Sequence, residues 1–193
     1  MNASRLVVAV CGGRRIPCGE RYRSAAQLAE DTGKDLALAG RFDIVFGACP
    51  GYADVLVRSF LAARLEGSRV IGLSMWENQS EHIETGDPFY EGVEYRFLGR
   101  HRSHDIIASS DAAVFFPGSV GTKNEFSIAM ISVRHPVFIG CPTFEHEQRE
   151  WMKRGLTEEQ RNGASVEGFR TSKELLSLLL LLTPIEKPEW YQF

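Results

Sequence analysis

A chain of 193 residues, 44% of them apolar, can bury one substantial core but not two comfortable ones, so a single domain over residues 1–193 is expected. With 22 basic and 25 acidic residues the net charge is −3, so no overall basic field exists to hold a nucleic-acid backbone by counterion release, and DNA or RNA is not an expected partner. The four cysteines, Cys11, Cys18, Cys49 and Cys141, form no CxxC pair, which predicts free thiols and a cytoplasmic location.

Short β-rich runs alternate with longer helical patterns, as in parallel strands joined by crossover helices. Residues 1–10 lack the length and cleavage pattern of a signal peptide, and 6–10 read as a first core strand closed by the turn Cys11-Gly12-Gly13. Residues 22–38 follow with apolar positions at Ala25, Leu28, Ala29, Leu36 and Leu38, helical at first and blurred after Gly33. A second strand over 43–46 ends at Gly47, and a helix over 53–65 carries Val55, Leu56, Phe60, Leu61 and Leu65 on or near one face. A third strand covers 69–73, a polar loop containing Pro88 covers 76–92, and a short fourth strand is expected at 93–97. A helix over 102–109, a buried strand over 112–116, a helix over 125–133 and a strand over 136–139 complete this region.

Residues 145–163 are strongly charged and read as helical, a lid or a partner surface. Thr171 with Glu174 makes a capping box before an apolar helix over 175–182, which closes the core. That run is far below the roughly 20 residues needed to cross a bilayer, so no membrane element is expected. Pro184 and Pro188 break up the tail 184–193, whose Trp190, Tyr191 and Phe193 predict docking on this chain or on a second subunit. The whole pattern describes an α/β fold, a single-domain Rossmann-like doubly wound parallel sheet flanked by helices.

In such sheets ligands collect outside the carboxyl ends of the strands, where loops meet helix N-termini and backbone amides are free. Three of these ends carry glycine: Gly12-Gly13, the loop Gly47-Ala48-Cys49-Pro50-Gly51, and the run Pro117-Gly118-Ser119-Val120-Gly121-Thr122. In the third, Pro117 stops the ladder, Gly118 and Gly121 let the backbone curl, and the next helix opens with its positive end toward the same spot. Thr122 adds a hydroxyl, and the arrangement suits a phosphate. Its spacing is neither a Walker A loop nor a GxGxxG fingerprint. Each glycine turn alone also fits simple turn shaping, but three lining one crevice favour a ligand.

Glu125 is placed in the first turn of the following helix, where it fits either an acid favoured by the helix dipole or a group facing the ligand. Arg102, taken alone, reads as a surface charge. His101 and His104 lack a third ligand at metal spacing, so a polar helix face is the reading and no metal is expected. Cys49 would need a base to become a nucleophile and reads as a packing residue.

The run from Pro117 to Glu125 resembles the PGGxGTxxE motif of the LOG family, also described as lysine decarboxylase-like, whose members include cytokinin-activating phosphoribohydrolases. Arg102, followed by Ser109-Ser110-Asp111-Ala112, is similar to that family's arginine helix leading into an SDA strand. The glycine loops at Gly12-Gly13 and at 47–51 sit where the family has its opening turn and its first nucleotide loop, so the resemblance covers residues 6–139. Two departures stand out. Ser119 replaces the second glycine of the motif, and the first loop reads GACPG where the hydrolases show GGGxxGLMG, which is closer to the relatives described as molybdenum-cofactor carriers.

The resemblance implies a nucleoside 5′-monophosphate phosphoribohydrolase that releases free base and ribose 5-phosphate. On that reading Glu125 stabilises an oxocarbenium-like state or activates water, and Arg102 holds the substrate or assists departure of the base. Gly12, Gly13, Gly47 and Gly51 shape the nucleotide crevice, and the amides of Gly118, Ser119, Val120, Gly121 and Thr122 grip the phosphate. No cofactor is implied, and a homodimer is. The alternative is a binding or carrier protein that holds a nucleotide, or a nucleotide-like cofactor, without cleaving it.

Overall fold

The computed structural model describes residues 5–98, 102–131, 136–140 and 166–185. In chain order the elements are β1 (Leu6–Cys11), α1 (Glu20–Ala39), β2 (Phe42–Gly47), α2 (Tyr52–Ala63), β3 (Val70–Ser74), α3 (Gln79–Glu84) and β4 (Glu94–Phe97). They continue as α4 (Arg102–Ala108), β5 (Ala112–Phe115), α5 (Val120–Ile131), β6 (Val137–Gly140), β7 (Val166–Phe169) and α6 (Ser172–Leu179). The seven strands form one sheet in the order β4-β3-β2-β1-β5-β6-β7, every neighbouring pair parallel. The expected doubly wound α/β fold is what the chain adopts.

Successive residues of β1 divide between two cores, as a pleated strand requires. Leu6, Val8 and Val10 pack with α1, α2 and α6, while Val7, Ala9 and Cys11 pack with α4 and α5. Both faces are covered, which is why β1 reads as a continuous apolar run rather than an alternating one.

A close contact between the two helices on one face lies at Gly33, where the expected helix pattern blurs. The helix runs straight through it. A Cβ built there would lie 2.1 Å from the Leu56 carbonyl oxygen, so α1 and α2 touch backbone to backbone at this point. Leu38, counted among the apolar positions, is exposed.

At the amino-terminal edge of the sheet Asp111 acts as a clamp. Its carboxylate accepts the Val7 amide at 2.7 Å and the Ile185 amide at 2.8 Å, and its own amide donates to the Val7 carbonyl at 2.7 Å. The aspartate of the SDA run therefore joins β1, β5 and the start of the tail at the edge opposite the glycine loops.

Three expectations need correction. The loop expected over 76–92 contains α3, capped by Asn78, whose side chain accepts the Glu81 amide at 3.0 Å; its one fully enclosed residue, His82, is too little periodicity to read from sequence. Strand β7 was not anticipated, because only Phe169 of its four residues is buried. The last helix starts earlier than expected and ends at Leu179, although Thr171 caps it through the Glu174 amide at 3.2 Å and Glu174 accepts the Arg170 amide at 2.8 Å. The charged segment 145–163 and residues 186–193 of the tail lie outside the described residues.

Two glycine substitutions should separate packing from helix propensity. Gly33→Ala is expected to cost about 1–3 kcal/mol despite alanine's better propensity, because the backbone of α2 leaves no room for a methyl group. Gly121→Ala, whose Cβ meets nothing within 4 Å, is expected to be neutral or stabilising by up to about 1 kcal/mol. Urea denaturation of both variants checks the pair.

Candidate functional site

The strand order reverses direction beside β1, between the run β1 to β4 and the return to β5. Ligand crevices of doubly wound sheets form at this switch point, at the carboxyl ends. Here the Gly13 peptide joins three loops: its amide donates to the Pro117 carbonyl at 2.7 Å, and its carbonyl accepts the Tyr52 amide at 3.4 Å. Gly51, at φ +119°, lies against it so closely that a Cβ would sit 2.0 Å from the Gly13 oxygen. Only glycine satisfies both the backbone angle and the contact. Gly118 is similarly constrained, since a Cβ there would lie 2.0 Å from Thr122 Oγ1.

Helix α5 begins at Val120, within the glycine motif itself and five residues before the expected start at 125. Its polar first turn carries no apolar periodicity, which hid it. The Lys123 amide makes the first bond of the helix, to the Ser119 carbonyl at 3.0 Å, so the amides of Val120, Gly121 and Thr122 precede the ladder, with no acceptor among the described residues. Gly121 is an ordinary helical residue rather than a curl in the loop. Glu125 consequently sits in the second turn, where the dipole gives it little support, and its side chain is buried.

Two adjoining chambers, with Gly13, Arg14 and Ser119 in both linings, occupy the crevice. The inner one, of about 90 Å³, is lined by Gly12, Gly13, Gly47, Arg102, Ser119, Gly121, Thr122 and Glu125, with Cys11, Arg14 and Cys49 beside them. The outer one, of about 420 Å³, shares Gly13, Arg14 and Ser119 and adds Arg15, Pro17, Tyr22, Tyr52, Pro117 and Gly118. The structure thus brings most of the expected residues together. Gly51 stands behind the wall as a packing glycine, and the Val120 side chain, 79% exposed, points to solvent.

Arg102 and Glu125 both line the inner chamber, without an ion pair between them. The guanidinium lies over Gly47, where a Cβ would come within 3.4 Å of its Cζ, and its Nη1 is buried with no hydrogen-bond partner among the described residues. A buried donor without an acceptor is an unmet demand for one. Burial pushes the Glu125 carboxyl up to about 7, against the Arg102 charge and hydrogen bonding from Cys11 and Ser103, which pull it down. Desolvation outweighs the arginine. Burial first, and Glu125 second, hold the Cys11 thiol well above its ordinary value, and burial raises Cys49 as well, so both stay protonated near neutrality and neither is an activated nucleophile.

Sequence reasoning missed Arg14 and Asp87. The Asp87 side chain is wholly enclosed and takes the Arg14 guanidinium on Oδ1, while Oδ2 accepts Trp76 Nε1 at 2.9 Å. Arg14 directly follows the first glycine turn, a position that could have drawn notice. Asp87, 73 residues away in a polar loop, gave no such signal. Among the described residues no group of three or more His, Cys, Asp or Glu could hold a metal ion, and His101 lies outside them. Among the described residues, too, no helix is long and apolar enough to cross a membrane.

Fold, glycine loops and the Arg102–Glu125 chamber define a LOG-like α/β protein. More narrowly, the chain belongs to the SLOG cluster4 family, whose model matches residues 5–168. No curated protein sequence matches it. Among solved structures it is similar to the molybdenum cofactor binding protein of Rippkaea orientalis, with a TM-score of 0.67 at 17% identity over 91% of this chain and 96% of that one. It is also similar to the molybdenum cofactor carrier protein of Chlamydomonas reinhardtii, with a TM-score of 0.65 at 16% identity over 91% and 97%. DNA processing protein A of Helicobacter pylori, described as binding single-stranded DNA, follows with a TM-score of 0.55 at 17% identity over 92% and 81%. At these identities the likeness is one of fold.

The Glu125 environment makes stability pH-dependent in a definite direction. Because the folded carboxyl holds its proton up to about 7 against an ordinary 4.5, its favourable contribution is complete below the unfolded value and is lost as pH rises through about 7. Glu125→Gln lacks this loss. The variant should match the wild type near pH 4 and be the more stable by up to about 3 kcal/mol above pH about 8. Urea titrations across that range check this, and parallel pH profiles for the two proteins would refute it.

Proposed function

We propose that the protein is a nucleotide N-glycosidase, hydrolysing a nucleoside 5′-monophosphate to free base and ribose 5-phosphate. The observation that carries this reading is that Arg102 and Glu125 line one small chamber beside the first turn of α5. The amides of that turn and Thr122 receive the phosphate, with the helix dipole favouring its charge. The C1′–N bond then lies over Glu125. As it breaks, positive charge builds on the sugar and negative charge on the departing base. Glu125 in its ionised form stabilises the former and takes a proton from the attacking water, whose oxygen bonds to C1′. Arg102 supports the base as it leaves as an anion; the base then takes a proton from solvent while Glu125 returns to solvent the proton it took from water, so that one water is consumed overall.

A specific observation favours a second reading. The outer chamber, much the larger, carries two arginines and two tyrosines and no carboxylate in its described lining, which suits holding a planar anionic ligand without cleaving it. Incubation with AMP, CMP, GMP, IMP and UMP, followed by chromatography, distinguishes the two. The enzyme reading expects base release that Glu125→Gln lowers by about 10²–10⁴-fold while nucleotide-dependent thermal stabilisation is kept. It also expects the wild-type rate at limiting substrate to rise with pH through about 7, as Glu125 ionises. Stabilisation by nucleotide with no turnover in the wild type would favour the carrier.

A further inference from the structure

Resting on the proposed nucleotide site, we infer that Arg14, braced by the buried Asp87 at the junction of the two chambers, binds a second phosphoryl group. The site then takes nucleoside 5′-diphosphates as well as monophosphates and holds the diphosphate more tightly. Arg14 lines both chambers, its side chain 47% exposed, whereas the Asp87 side chain is 0% exposed. Asp87 engages the Nη2 end of the guanidinium, leaving donors of the fork to face the crevice. Trp76 fixes the other carboxylate oxygen, so Asp87 is held where it orients the arginine.

The pair is not needed to fasten its loop. His82 already bridges the Ser74 hydroxyl at 3.0 Å and the Pro88 carbonyl at 2.9 Å, and the Tyr90 hydroxyl donates to Asp54. A buried carboxylate spent on a half-exposed arginine at a cavity wall is better explained by pre-orienting that arginine for a ligand. Ser119, at the mouth of α5, lines the same two chambers as Arg14. A phosphoryl group on the first turn of α5 therefore has Arg14 in the wall of the same chambers, and a planar fork suits the phosphoryl group that follows it.

Calorimetric titration with paired mono- and diphosphates of adenosine, guanosine, cytidine and uridine tests this. For the base that binds, the diphosphate should bind about tenfold tighter than the monophosphate. Arg14→Gln should abolish that preference while changing monophosphate affinity less than about threefold, and Arg14→Lys should retain part of it. Equal affinities in the wild type, or equal losses of both ligands in Arg14→Gln, would overturn the inference. If the monophosphate is bound and hydrolysed without a diphosphate preference, this inference fails and the proposed function stands. If no pair binds, both fail.

Discussion

The Gly13 peptide is the joint on which the crevice depends. Its amide and carbonyl are both committed, one to the β5 loop through Pro117 and the other to the start of α2 through Tyr52, and Gly51 closes over the carbonyl with no space for a side chain. Backbone bonds between loops are short and directional, so fixing one peptide fixes the relative height of all three strand ends. The floor of both chambers is therefore made of main chain from loops that are far apart in sequence. Side chains that reach over this floor inherit its rigidity. Arg102 can lie flat on Gly47 because nothing projects from it, and Thr122 can fold back against Gly118 for the same reason.

Stability and chemistry pull apart at Glu125. A carboxyl group enclosed in a small chamber is expensive to ionise, and one neighbouring arginine recovers only part of that cost. The same enclosure keeps water from screening the Arg102–Glu125 interaction, and it leaves Arg102 Nη1 with a hydrogen bond to give. The opposite edge of the sheet is arranged otherwise. There Asp111 is buried too, yet it accepts two backbone amides and serves to hold strands together. Two enclosed acids thus differ in one respect: Asp111 is satisfied by main-chain donors, whereas Glu125 faces a cavity. That contrast marks the carboxyl ends as the place for a ligand.

Much of the fold was legible because its central strands are buried on both faces and read as apolar runs closed by turns. What escaped notice escaped for physical reasons. Helix α5 opens with Val120 exposed, a glycine, and Thr122 turned into the crevice, so its apolar pattern surfaces only from Phe126 onward. Helix α3 is organised around a single histidine, and β7 buries one residue in four. In the site, the glycine loops were visible as punctuation, but the residues alone left Arg102 and Glu125 undecided, and only the motif spacing linked them to one ligand. The Arg14–Asp87 pair had no local signature at all, being a contact between the first loop and a segment two strands further along.

Under the proposed chemistry the burial of Glu125 becomes an advantage rather than a flaw. Burial lifts the carboxyl to about 7, so its two forms lie close in free energy near neutrality. A phosphate arriving at α5 adds negative charge nearby and favours the neutral form, so the bound substrate gains little from this residue. As the glycosidic bond stretches, the sugar turns positive and the preference reverses, because a cation beside a poorly solvated carboxylate interacts far more strongly than it would in water. The interaction is thus weak in the ground state and strong in the transition state, which is the condition for lowering a barrier rather than merely tightening binding. A fully solvated glutamate at the same position would already be ionised and screened, and most of that difference would be lost.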